Sequence, residues 1–447
     1  MSTPQEHLGI GEYRPGAAAV LSDAQRWPTL DAAGAARLRT LREHPDAPVW
    51  THATGDRLDA DAITRVLEPL PHTGWLAGHL QTARGLLAYR GLGRLERLED
   101  FPTTSREDLI RDIGAYVPLG ADLSRLVHGT SSGSTGHALL IPDDLEDTAR
   151  TFHLFRSLAA SDGVVWDPDP RRLALVNVVH QQQAFSYAGS ISSFGHAGMA
   201  RLNLHPSAWA RGAAQRNSFL RAQVPQVITG DPSSLTSLLG IGGLQPLALF
   251  SSAMGLTPGA RAALEGEFGV PVYDVYGLHE TRPIAVRSDD GPHRILDRRV
   301  HVEILDAAGV PVPSGARGEI VVTAGENPLL PLVRYRTGDF GRLVTLPDGG
   351  LAIADLEGRE EVVFATVTGD RLPAVDVTQQ LQRHGAIGWT VHQGADGTVT
   401  AAVVGGDSTA IESVLAALFG AAVSIRRVAS LADLGEGKPR RYRRDVS

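Results

Sequence analysis

Residues 258–281 read Pro258-Gly259-Ala260-Arg261-Ala262-Ala263-Leu264-Glu265-Gly266-Glu267-Phe268, then Gly269-Val270-Pro271-Val272-Tyr273-Asp274-Val275, then Tyr276-Gly277-Leu278-His279-Glu280-Thr281. The first run has helical spacing and opens on a proline; the second is a short β-rich run that starts behind a glycine. Two comparable β-rich runs lie upstream, Arg172 to Val179 and Gln226 to Thr229. Strand–helix alternation of this kind, from about 170 to 325, predicts a largely parallel, layered α/β core.

On the N-terminal side, residues 1–125 are rich in Leu, Arg and Ala at helical spacing, broken at Phe101-Pro102-Thr103-Thr104-Ser105. Glu107 and Asp108 follow that break, so a helix starts there with Thr or Ser as its cap. On the C-terminal side, close-set strands with Gly- or Pro-marked turns run from about 295 to 355, including His301 to Leu305 and Gly318 to Thr323. They predict a β-rich subdomain. After Gly358 comes a smaller α+β unit, with strands at Thr398 to Val404 and Val423 to Val428 around a helix at Thr409 to Phe419. The expected division is therefore a large domain, 1–357, and a small one, 358–447.

A chain of 447 residues, 43% hydrophobic and 21% charged with net charge −8, has the composition of a globular protein with two or three domains' worth of core. The acidic balance speaks against nucleic acid as a partner. There is no cysteine, which excludes disulfides and thiolate metal sites. Met1 to Tyr13 is polar and unlike a signal peptide, and the apolar stretch Leu244 to Leu256 is interrupted and too short for a bilayer. A cytoplasmic protein without a membrane partner is expected. All but one of the 42 basic residues are arginine; the exception is Lys438.

Three motifs carry chemistry. Gly129-Thr130-Ser131-Ser132-Gly133-Ser134-Thr135-Gly136 is rich in hydroxyls and lacks Cβ atoms where backbone N–H groups could close on a phosphate. It is not a Walker A loop, and taken alone it also reads as a Ser/Gly linker. Tyr276 ends a strand, where an aromatic ring can stack on a base, and Glu280 follows four residues later as a candidate Mg²⁺ ligand. An ordinary strand exit is the alternative. Leu332-Val333-Arg334-Tyr335-Arg336-Thr337-Gly338-Asp339 runs from a strand into a turn that could present a carboxylate to two ribose hydroxyls, or form a structural Arg–Asp pair.

In this order, and with Gly358-Arg359-Glu360-Glu361 behind them, these segments resemble the core motifs of the adenylate-forming superfamily. Phe101 to Leu109, Leu126-Val127-His128 and Asn327-Pro328-Leu329-Leu330-Pro331-Leu332 look most like the phenylacetate–CoA ligase group. The resemblance implies a multi-subdomain N-terminal domain under a mobile C-terminal lid, using ATP, Mg²⁺ and CoA or another thiol acceptor. Ser131, Ser132, Gly133, Ser134, Thr135 and Gly136 would wrap phosphates; Tyr276 and Gly277 would lie against adenine, and Glu280 would bind the metal. Asp339 would hold the ribose, Arg359 the nucleotide, and Glu361 would be the hinge acid. Lys438, within Gly437-Lys438-Pro439-Arg440-Arg441, would bridge the substrate carboxylate and the α-phosphate; a solvated basic tail is the plain alternative.

The implied function is activation of a carboxylic acid, aryl or related, as its acyl-adenylate, followed by transfer to CoA. The alternatives are another acceptor (a carrier-protein phosphopantetheine, an amine or another oxyanion) or a relative that has lost catalysis. A homodimer is what the resemblance suggests. Departures from the family pattern are His137, His279, Arg282, Glu360-Glu361 and Ser251-Ser252-Ala253-Met254. Phe185, Tyr187, Phe194, His196 and Met254, with His279 and Arg282, are the candidate acid-pocket residues, and core packing explains the aromatic ones almost as well.

Overall fold

The computed structural model describes residues 21–70, 73–131, 139–180, 184–358, 362–368, 371–420, 423–435 and 441–445. The N-terminal region is helical: α1 (Asp23–Arg26), α2 (Ala32–Arg42), α3 (Ala60–Leu67), α4 (Trp75–Arg84) and α5 (Arg106–Asp112). The break at Phe101–Ser105 does end in a cap. The Ser105 side chain accepts from the Asp108 N–H, and Asp108 returns the bond to the Ser105 backbone, a capping box. A hairpin follows, β1 (Leu126–Ser131) against β2 (Leu139–Asp144), leading into α6 (Leu145–Ser161). Asp144 caps α6 by accepting from the Glu146 and Asp147 amides.

The parallel core comes next in the chain: β3 (Leu175–Val179), β4 (Tyr187–Ile191), β5 (Ala197–Asn203), α7 (Gly212–Gln223), β6 (Val227–Gly230), α8 (Pro232–Thr236), β7 (Ala248–Ser252), α9 (Pro258–Phe268) and β8 (Val272–Leu278). Thr257 caps α9, Pro258 takes its first turn, and Gly269 closes it at φ 64°. In space β5-β3-β6-β7-β8 run parallel, with β4 antiparallel on the outer edge. Period-2 alternation sends neighbouring side chains to opposite faces. Ile228, Leu249 and Val272 join one apolar cluster with Leu38 and Leu41 of α2, Phe219 and Leu220 of α7 and Leu264 of α9. Val227, Phe250 and Tyr273 join another with Phe152 of α6 and Trp166. Both faces are covered, as parallel strands require.

The strands of the expected β-rich subdomain extend this same sheet. β9 (Arg282–Arg287), β10 (His293–Ile295), β11 (Val300–Leu305), β12 (Arg317–Ala324), β13 (Leu332–Thr345) and β14 (Leu351–Glu357) add antiparallel in the order β8-β9-β10-β14-β13-β12-β11. The result is one twelve-stranded mixed sheet. The remaining elements are β15 (Val363–Ala365), β16 (Arg371–Pro373), α10 (Ala374–Arg383), β17 (Ala386–Gln393), β18 (Val399–Gly405), α11 (Ser408–Phe419), β19 (Val423–Arg427) and β20 (Tyr442–Arg444). They form a second sheet, β19-β18-β17-β20, and a two-stranded one, around an apolar cluster drawn wholly from residues 362–442.

Candidate active site

Ligands of open α/β sheets lie beyond the carboxyl ends of the parallel strands, where the chain reverses its direction of travel across the sheet. Here β3 leads outward to β5 and back to β6, so that point lies between β3 and β6. His180 and Asp231 follow these two strands, Ala253 and Met254 follow β7, and Tyr276 sits near the end of β8. His180 was not singled out by its sequence context. Its amide donates to Ser234 Oγ at 2.9 Å, its ring lies 5.6 Å from that of His205, and its buried Nδ1 has no hydrogen-bond partner among the described residues.

Among the described residues two hydrogen bonds join β8 and its exit turn to β13, although three strands separate β8 from β13 in the sheet. Tyr276 donates its hydroxyl to Asp339 Oδ2 at 2.9 Å, and Tyr335 donates to Glu280 Oε1 at 3.4 Å. The antiparallel half of the sheet therefore curls back on the parallel half. Bulges in β13 assist, with Gly338 at φ 74° and register shifts against both neighbours. Asp339 is buried, its amide held by Thr337 Oγ1 at 3.0 Å. A Cβ added to Gly358 would stand 3.5 Å from Asp339 Oδ1, so the start of the Gly-Arg motif adjoins the aspartate.

Glu280 is 3% exposed, and its Oε1 receives Arg106 Nη1 at 2.5 Å. Arg106 arrives because the N-terminal segment docks on β13: the Thr104 amide donates to Arg334 O at 3.0 Å, and the Arg336 amide to Thr104 O at 2.7 Å. The sequence reading overlooked Arg106, since its partner lies 174 residues away. Gly277 has a steric reason to be glycine: a Cβ there would meet Arg282 O at 2.5 Å and Pro283 Cα at 2.9 Å.

The turn that carries Glu280 is fixed to the corner between β2 and α6. His279 Nε2 lies 2.7 Å from Asp143 Oδ2; Arg282 Nη2 lies 2.9 Å from Asp143 Oδ1, and its Nε 2.7 Å from Asp147 Oδ2. The acidic groups that Arg282 meets are thus this chain's own Asp143 and Asp147. Burial pushes the Asp147 carboxyl above the usual carboxylate range, against the pull of Arg282. Burial also weakens the Arg282 charge, but Asp147 and Asp143 outweigh it and the guanidinium is held above its ordinary value. The run Asp143-Asp144-Leu145-Glu146-Asp147 was the available signal for this cluster.

The candidate pocket residues separate. Phe185 stacks under the Arg201 guanidinium at 4.5 Å and beside His52 at 4.8 Å, with Tyr187 next to it. Phe194 packs in the core against Phe152 and Trp166, and His196 is buried with its carbonyl taken by Arg37. Met254 lies at the seam with the C-terminal unit. Ser132, Gly133, Ser134, Thr135, Gly136, His137, Arg359, Glu361 and Lys438 lie outside the described residues. The described ends of the hydroxyl-rich segment, Gly129 to Ser131, form the last pairs of the β1–β2 hairpin.

No family model matches the chain. It is 28% identical over 270 residues to the phenylacetate-coenzyme A ligase of Pseudomonas putida, and 29% over 282 residues to that of Aromatoleum evansii. These matches cover 56% and 57% of this chain and 58% of each relative, so the chain spans under two thirds of the curated relatives it matches. Among solved structures, 2-hydroxyisobutyryl-CoA ligase in the postadenylation state, in complex with 2-HIB-AMP, superposes with a TM-score of 0.59 at 18% identity. That superposition covers 87% of this chain and 89% of the other. The chain is thus similar in sequence to the phenylacetate-coenzyme A ligases and similar in fold to 2-hydroxyisobutyryl-CoA ligase.

Proposed function

We propose that the chain uses ATP and Mg²⁺ to convert a carboxylic acid into its acyl-adenylate and then passes the acyl group to the thiol of CoA. The observation that carries this is the Tyr276–Asp339 hydrogen bond, which joins two motifs 63 residues apart beside the turn of Glu280. An oxygen of the substrate carboxylate attacks the α-phosphorus and pyrophosphate leaves; the sulfur of CoA then attacks the acyl carbon and AMP leaves. A carboxylate is ionised at neutral pH, so the first step asks for positioning and charge neutralisation, not a base.

In this reading Tyr276 lies against adenine, Asp339 takes the ribose hydroxyls, and the hydroxyl-rich loop holds the β- and γ-phosphates. Lys438 and Arg359 bring positive charge to the nucleotide, and Glu361 marks the hinge. We place the domain boundary at 358, supported by the self-contained apolar cluster that begins at Val362. Glu280 suits Mg²⁺, which commonly takes one carboxylate alongside phosphate oxygens and water. Both described contacts to it fall on Oε1, so a metal would share the carboxylate with Arg106. When bound, Mg²⁺ neutralises the phosphates. The acid would enter at the β3–β6 crevice beside His180.

Acid-dependent exchange of radiolabelled pyrophosphate into ATP, measured over a panel of aryl, alkyl and hydroxy acids, tests the first half-reaction. Adding CoA, or a phosphopantetheinylated carrier, and weighing the product assigns the acceptor. Absence of exchange with every acid would refute the proposal.

A further inference from the structure

The C-terminal unit meets the large domain along a seam at the end of β7 and the start of α9, lined by Met254, Gly255, Thr257, Ile387, Trp389 and Arg441. Thr257 Oγ1, while capping α9, also donates to the Ile387 carbonyl. Gly259 allows the helix to approach this closely: a Cβ there would stand 3.2 Å from both Ala386 O and Ile387 Cα. Arg441 spans the seam. Its Nη2 donates to Gly255 O at 2.5 Å, and its guanidinium carbon lies 5.2 Å from the centre of the Trp389 ring.

The other end of Arg441 is fixed within its own unit. Its carbonyl accepts from the Val391 amide at 2.7 Å, the following residues pair with β17 as β20, and Trp389 Nε1 donates to Tyr442 Oη at 2.7 Å. One side chain thus has its backbone in one domain and its charge on a carbonyl of the other. Arg441 is the third residue after Lys438.

We infer that Arg441 is a positioning residue: it latches the C-terminal unit to Gly255 in the orientation used for adenylation, and releases it for acyl transfer. The inference rests on the adenylation reading. A charged donor on a carbonyl with a ring beneath it biases such an equilibrium by about ten- to a hundredfold. The Thr257 hydrogen bond to Ile387 O crosses the same seam, and both contacts are lost once the domains turn.

The chain has no cysteine, so Ala308→Cys and Ser413→Cys place one spin label on each unit without background. Pulsed dipolar distances in that pair, with Arg441 intact, should show one dominant separation; Arg441→Ala should add a second or broaden the first. Pyrophosphate exchange in Arg441→Ala should fall about ten- to a hundredfold, while thioester formation from supplied acyl-adenylate and CoA stays within about twofold. Arg441→Lys should recover part of the exchange. Gly259→Leu, which wedges the same seam, should shift the distances likewise if Arg441→Ala fails to fold. Identical distance distributions with and without Arg441, or exchange and transfer falling by the same factor, would overturn the latch. If the intact protein exchanges no pyrophosphate, the adenylation reading falls by itself and the distances alone judge the latch.

Discussion

Asp339 and Tyr276 meet at 2.9 Å, and each is proposed to touch a different part of one nucleotide. Asp339→Asn keeps the shape but removes the charge that strengthens bonds to ribose hydroxyls, so KM for ATP should rise about ten- to a hundredfold. Tyr276→Phe loses only the hydroxyl and should raise KM by a few fold, both read from exchange kinetics. Arg106 and Glu280 form a buried pair at 2.5 Å. Removing one partner strands the other, so Arg106→Ala should destabilise the protein by about 3–5 kcal/mol in urea unfolding. Arg106→Met combined with Glu280→Gln should restore much of that loss.

The β8–β9 hairpin is held by its steric fit and by the Asp143–Arg282–Asp147 bridge. A methyl group on Gly277 collides with backbone atoms that cannot move aside, so Gly277→Ala should cost about 1–3 kcal/mol and impair exchange, read by thermal melting and by the exchange assay. Helix α6 offers a pH test. His153 Nε2 lies 2.9 Å from Ser193 Oγ, and burial, with Arg156 nearby, pushes the imidazole down to about 4. The folded state resists protonation that the unfolded chain accepts near 6.5, so this stability is complete above 6.5 and lost as pH falls toward 4. Burial lowers His79 and His293 in the same direction. Urea midpoints at pH 7.5 and 5.5 should therefore differ, and by less in His153→Gln.

For the whole molecule the proposed reaction requires two domains to share one site. Lys438 should contribute to rate rather than to fold: Lys438→Ala should reduce exchange by roughly 10²–10³ with little change in melting temperature. The helix at 258–268, the cap at Ser105 and the strand–helix–strand elements between 398 and 428 were legible in the sequence, because each depends on neighbours a few residues away. The β-rich segment was legible as strands but not as part of the main sheet, since pairing partners are not written locally.

The site divides in the same way. The sequence by itself supplied the residue types and order of the motifs, including Tyr276, Glu280 and Asp339, because a chemical function needs particular side chains at short spacings. Only the tertiary structure decided that Tyr276 meets Asp339, that Arg106 pairs with Glu280, and that Arg282 faces Asp143 and Asp147. It also decided that Phe194 and His196 are buried against the core. Those contacts arise from a sheet that curls upon itself and from packing across more than fifty residues of chain, and no local pattern encodes such distances.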